Sequence, residues 1–143
     1  MRLRIFIILL SISALVYISC AKKTVKDYPL KPVPFTEVRI SDSFWMPRME
    51  TNRTVTIPFA FKMCEETGRI DNFLKAARLM PGKFIGKRYN DSDVYKTMEG
   101  AAYSLCLHPD PELEKYMDEL IVKIEAAQED DGYLYTARTV DPK

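Results

Sequence analysis

Histidine is almost missing from this chain: His108 is the single one in 143 residues. With no histidine pair and no Cys-x-x-Cys spacing, no zinc site can be completed from these residues alone. Blocks of like charge are lacking too, since 21 basic and 20 acidic residues are interspersed to a formal net charge of +1. A nucleic-acid partner ordinarily leaves a basic stripe, so none is expected. Nor does any apolar run reach the roughly 20 residues that a membrane-crossing helix needs.

The longest apolar run is nevertheless informative. Ile5 to Ile18, broken only by Ser11, Ser13 and Tyr17, follows Arg2 and Arg4 and ends at Ser19-Cys20. A positive start, a short apolar core and a small residue before cysteine are the parts of a lipoprotein signal peptide. Residues 1–19 are expected to be removed, Cys20 to carry lipid, and the Lys- and Pro-containing residues 20–34 to act as a tether. Acyl chains worth about 0.8 kcal/mol per buried CH₂ would then hold the protein to a membrane of the cell envelope, periplasmic or outer. Two plainer readings are an uncleaved anchor helix and a secreted protein with an incidental Cys20.

Past residue 35 the patterning is helical. Phe35 to Ile40 alternates and reads as a short strand or extended arm. Arg48 to Thr67 reads as a helix that Pro58 should kink or split, with Gly68 closing it. Asp71 to Met80 follows as a short helix capped by Asp71 or Asn72, and Lys83 to Asn90 as a loop. Val94, Met98, Ala101 and Leu105 recur at helical spacing behind Asp91, Ser92 and Asp93, which offer capping oxygens. Asp110 and Pro111 then open another helix, whose Leu113, Met117, Leu120, Ile121, Ile124 and Ala127 make a wide apolar face. Only a few residues separate these last two helices, so they should form an αα-hairpin. Tyr133 to Lys143 reads as a connector to a further element. The expected class is all-α, a piece of a larger architecture.

Chemistry is sparse. Asp91 and Asp93 are two apart, the nearest approach to a carboxylate pair, but a helix start favours their ionised form and makes either a poor general acid. They are candidates for accepting sugar hydroxyls, or simply caps. Asn72, in the Arg69 to Asn72 stretch between helices, is a third candidate. Glu99 has an ion pair with Lys96 as its plain explanation. His108 reads as a turn residue, and Trp45, Tyr89, Tyr133 and Tyr135 as core aromatics more readily than sugar platforms. Cys64 and Cys106 read as two buried free thiols, with a disulfide between them as the other reading. No catalytic residue and no metal ligand set is found.

The motifs are more telling as an ordered series. Asn90-Asp91-Ser92-Asp93-Val94-Tyr95-Lys96, then Glu99 to Leu105, then His108-Pro109-Asp110-Pro111-Glu112-Leu113 and Asp131-Gly132-Tyr133-Leu134 resemble glycoside hydrolase family 127. Phe44-Trp45 and Cys64 to Phe73 fit the same pattern. The resemblance covers about residues 35–143. It implies the N-terminal portion of an (α/α)6 barrel, truncated here, and a retaining exo-hydrolase of β-L-arabinofuranosides in plant glycans. It also implies zinc held by cysteines and a glutamate in Glu-x-Cys and Cys-Cys-Pro segments, with a cysteine nucleophile. Those segments are absent from residues 1–143, so the piece by itself is expected to be inactive. The competing expectations are a non-catalytic lipoprotein binding a glycan or a subunit, and the same fold acting on another plant-wall sugar.

Overall fold

In a computed structural model, residues 30–142 are described. The chain divides at Pro34 into two units. The signal segment 1–19, Cys20 and most of the tether lie outside the described residues; residues 30–34 carry no regular element.

The second unit is helical, with no strand among its described residues. Of the two readings of Phe35 to Ile40, the strand is not formed, and residues 38–40 carry no regular element. Phe35–Glu37 is a 3₁₀ turn, closed by Val38 N–H donating to Phe35 O at 3.1 Å. Alternation alone cannot make a strand where no neighbouring edge offers pairing. Asp42 then sets the entry to the first helix, its Oδ1 accepting from Phe44 N (2.8 Å) and Trp45 N (2.6 Å).

Helix α1 is Trp45–Thr51, a π turn covers Asn52–Thr56, and α2 is Ile57–Glu66. Pro58 explains the arrangement. It has no N–H to donate, and its ring would collide with the carbonyl four residues earlier. The π turn widens the ladder just before it: Ile57 N–H reaches Asn52 O, five residues back. Pro58 then sits in the first turn of α2, where no amide is required. The helix is reset rather than broken.

Gly68, at φ +73, reverses the chain and caps α3, Arg69–Ala76. Asp71 and Asn72 therefore lie inside α3 and are not its caps. The helix is also shorter than its sequence pattern, because Arg78 takes φ +61. Arg78 N–H donates to Lys75 O and Leu79 N–H to Leu74 O, the paired bonds of a Schellman ending.

Helix α4 is Asp91–Leu107 and α5 is Pro111–Ala126, joined by the short His108–Asp110 connection as expected. Asp110 caps α5, accepting from Leu113 N at 3.2 Å. A last short helix, α6 (Thr136–Val140), occupies what reads in sequence as a connector. Phe61 and Cys64 of α2, Ile70 and Phe73 of α3, Val94 and Ala101 of α4 and Leu120 of α5 form one buried cluster. That cluster fixes α3 under the N-terminal end of α4, which is where the candidate residues gather. No helix among the described residues is long and apolar enough to cross a membrane.

Candidate functional site

Three loops meet at this end, and polar side chains fasten each one. Asn72 is fully buried in α3. Its Nδ2 donates to Ile85 O at 2.9 Å, and its Oδ1 accepts from Ile85 N at 3.0 Å. A side-chain amide thus does for the Lys83–Asn90 loop what a neighbouring strand would do, satisfying a backbone donor and acceptor together. Gly86, at φ +90, follows immediately; a Cβ there would lie 2.2 Å from Asn90 Nδ2.

Asp91 was a candidate cap for α4, and the structure corrects that reading. Asn90 holds the cap position without a side-chain bond. The buried Asp91 carboxylate points instead to α6, accepting from Thr136 N at 2.8 Å and from Thr136 Oγ1 at 2.5 Å. It caps a helix that starts 45 residues later. Ser92 donates its hydroxyl to Tyr89 O, and so caps nothing either.

Asp93 is the part-exposed member of the set. Its Oδ2 accepts from Arg69 Nε at 3.0 Å, with both side chains part-exposed. Arg69 is held in turn by Thr67 Oγ1. The pair fastens the α2–α3 turn to the start of α4, and among the described residues no side chain bonds Asp93 Oδ1. Asn72 and Asp91, by contrast, direct their polar atoms inward to the scaffold.

Around this end, Tyr89 is 66 % exposed. Burial, with the Asp91 charge in second place, pushes the Tyr95 phenol up to about 12. A separate cleft of about 920 Å³, lined by none of Asn72, Asp91 and Asp93, opens beside Lys75, Arg78, Gln128, Asp130 and Arg138. Its mixed charges and helix-end backbone suit a polar, hydroxyl-rich molecule better than an apolar one.

Other expectations fare differently. Lys96 donates to Ser92 Oγ at 3.4 Å, so the proposed pair with Glu99 is not the bond made. Trp45 and Tyr89 are surface rings, whereas Tyr133 and Tyr135 are half-buried. His108 lies at the end of α4 beside an apolar groove. Cys64 is buried, and burial pushes its thiol up, away from nucleophilic thiolate; Cys106 is exposed rather than buried. Among the described residues no three His, Cys, Asp or Glu side chains assemble as metal ligands. These residues therefore do not fit a zinc ion.

Sequence reading did not single out Asn90, Arg69 or Thr136 as site residues, although Asn90 and Arg69 stand inside stretches it named. Asn90 is 2 % exposed, and its Oδ1 has no partner. Its signal was available, since asparagine is favoured at helix caps. Thr136 carried none, because its partner is so distant in sequence.

The helices and the fastened loop end define an all-α class of structure among the described residues. The family model described as β-L-arabinofuranosidase, GH127 catalytic domain, matches residues 37–142. The chain belongs to this family, whose members are glycoside hydrolases. A solved GH127 β-arabinofuranosidase is 55 % identical, with a TM-score of 0.75 over 81 % of this chain. A solved GH127 β-L-arabinofuranosidase from Geobacillus stearothermophilus T6 is 36 % identical, with a TM-score of 0.72 over 73 % of this chain. A non-reducing end β-L-arabinofuranosidase of Bifidobacterium longum subsp. longum is 46 % identical over 67 residues, 47 % of this chain. The fold is accordingly the N-terminal portion of an (α/α)6 barrel, the architecture of those solved structures. The chain spans 18 % of each of the two solved relatives and 10 % of the Bifidobacterium one.

Proposed function

We propose that residues 35–143 are part of an exported, lipid-anchored retaining exo-glycosidase that removes β-L-arabinofuranosyl units from plant glycans. The observation that carries this reading is the family match over residues 37–142, supported by similarity to a solved GH127 β-arabinofuranosidase and a solved GH127 β-L-arabinofuranosidase. The fastened loop end supports it as well. A glycosidase needs loops held rigidly around the sugar, and Asn72, Asp91 and Arg69 hold three of them. Within that arrangement Asp93 is the side chain best disposed to accept a sugar hydroxyl, with Asn72 and Asp91 acting on the substrate through the loops they hold.

In this reading zinc belongs to segments outside residues 1–143. No step of the reaction is assigned to the residues described here. Export and lipidation at Cys20 place the enzyme at the cell envelope, where glycan fragments arrive.

Reading the coding DNA beyond Lys143 and assaying the product on an aryl β-L-arabinofuranoside tests the proposal. Glu-x-Cys and Cys-Cys-Pro segments, with hydrolysis releasing the sugar in its starting anomeric form, are expected. A frame without them, whose product binds arabinan fragments but releases no sugar, would favour the binding protein. Radiolabelled palmitate should enter the wild type and not Cys20→Ser; equal labelling of neither would remove the anchor from the proposal.

A further inference from the structure

The cleft beside α6 carries cations that its own walls do not satisfy. Lys75 in the last turn of α3, Arg78 just past its end and Arg138 of α6 all line the same space of about 920 Å³. That volume falls within the range of about 300–1,000 Å³ that ligand sites occupy. The acidic groups that share the cleft are mostly engaged. Glu129 accepts from Thr139 Oγ1 at 2.7 Å, and Asp131 accepts from Tyr133 N at 2.9 Å. Among the described residues no ion pair joins any of these acids to the three cations.

Arg78 is the telling residue. Its φ of +61 is a conformation that glycine adopts freely and that a residue with a Cβ enters at a cost of about 1–2 kcal/mol. Strain of this kind concentrates at ligand clamps, where a contact offsets it. Among the described residues, however, the Arg78 guanidinium has no ion-pair partner. Lys75 is in the same position. Its stem runs over Gly82, where an added Cβ would lie 3.4 Å from Lys75 Cε, and its ammonium meets no carboxylate. Arg138 is held by the Tyr133 ring, 5.0 Å from its centroid.

The chemistry of the cleft selects its occupant. Helices α3 and α5 both end there, each end carrying about half a negative charge, and Asp130 adds a carboxylate. A bare inorganic anion would meet that repulsion with nothing to offset it. A neutral sugar would leave Lys75 and Arg78 unanswered. A uronic-acid residue supplies both parts: a planar carboxylate that a guanidinium grips by two parallel bonds, and hydroxyls that donate to Asp130. We propose that this cleft is an accessory site for a uronate-bearing stretch of the glycan, with Arg78 and Lys75 holding the carboxylate. It is apart from Asn72, Asp91 and Asp93, although α6, which Asp91 fastens, forms one side of it. The inference rests on the glycosidase reading and deepens it by naming an acidic glycan.

Titration calorimetry on the full-length enzyme tests it. An oligogalacturonate is titrated into the wild type, Arg78→Gly and Lys75→Gln, with a neutral oligogalactan of equal length and inorganic phosphate run in parallel. Arg78→Gly removes the side chain while relieving the backbone, so the fold is not put at risk. The wild type is expected to bind the acidic chain, and either substitution to lower that affinity by about tenfold or more. The neutral chain and phosphate are expected to bind the wild type about tenfold or more weakly than the acidic chain. Equal affinity for acidic and neutral chains overturns the proposal, as does an affinity that neither substitution changes. Phosphate held as tightly as the acidic chain would make this a free-anion site, and no binding at all would mean that other parts of the polypeptide fill it; each result overturns the proposal too. Sugar release from an aryl β-L-arabinofuranoside is measured on the same wild-type preparation. Its absence with uronate binding intact would remove the hydrolase reading and leave the site standing.

Discussion

Asp91 and Thr136 are locked together across 45 residues, the two carboxylate oxygens of one taking the backbone N–H and the hydroxyl of the other. The contact is buried on both sides. It ties the start of α4 to the start of α6 and makes a carboxylate in one helix the cap of another.

Removing that carboxylate should cost more than an ordinary cap. Asp91→Ala is made in a graft that carries residues 37–142 in place of their counterpart in the 55 % identical solved relative. It strands a buried donor pair, and a loss of about 1–3 kcal/mol in urea unfolding is expected. Thr136→Val should cost a similar amount, with the double variant far from additive. Additive losses would show that the two side chains act separately.

Arg78 offers a gain. Its φ of +61 lies in the left-handed region at the Schellman position, where glycine carries no Cβ penalty. Arg78→Gly should stabilise the graft by about 1 kcal/mol, read as a higher Tm. A lower Tm would mean that the arginine side chain makes a contact worth more than the backbone strain.

Alkaline titration reports on Tyr95. Its folded pKa, about 12, is raised by burial above the ordinary value. The fold therefore favours the neutral phenol. The stability it contributes is complete below about pH 10 and is lost as pH climbs from there toward 12. Absorbance at about 295 nm should show a late tyrosinate component that Tyr95→Phe removes. Tyr116, raised by burial and by its bond to Glu65, should remain as a still later component. An unchanged late component in Tyr95→Phe would contradict the assignment.

Asp93 separates fastening from substrate binding. Its ion pair with Arg69 is part-exposed, so Asp93→Asn should cost at most about 1 kcal/mol of stability. If Oδ1 accepts a sugar hydroxyl, KM in the active graft should rise by about tenfold or more. Unchanged kinetics with a small stability loss would leave Asp93 as a fastener alone.

The helices were legible in the sequence because their causes are local. Val94, Ala101 and Leu120 mark buried faces by spacing, and Asp110-Pro111 announces its own cap. Pro58 signalled a disturbance, but whether the ladder would kink or widen depends on packing that spacing does not encode. The site was legible only as a region. Asn72, Asp91 and Asp93 were singled out as polar residues at helix starts, yet their roles were set by Ile85, Thr136 and Arg69. The first two of those contacts join distant segments through backbone groups, which carry no signature in the side-chain pattern. The choice between strand and extended arm at Phe35 to Ile40 was open for the complementary reason: alternation describes one partner of a sheet and is silent about the other.

The account turns on helices shaped to be covered by the rest of a GH127 domain. Phe59 and Val55 on the reset helix, Tyr103 on α4 and Val122 on α5 are each more than half exposed. The direct test is an apolar fluorescent dye titrated into the Cys20→Ser chain and, in parallel, into the graft during thermal unfolding. The account predicts strong dye binding and a broad melt for the chain, with little binding and a sharp melt for the graft. A chain that ignores the dye and melts in a single sharp transition would contradict it.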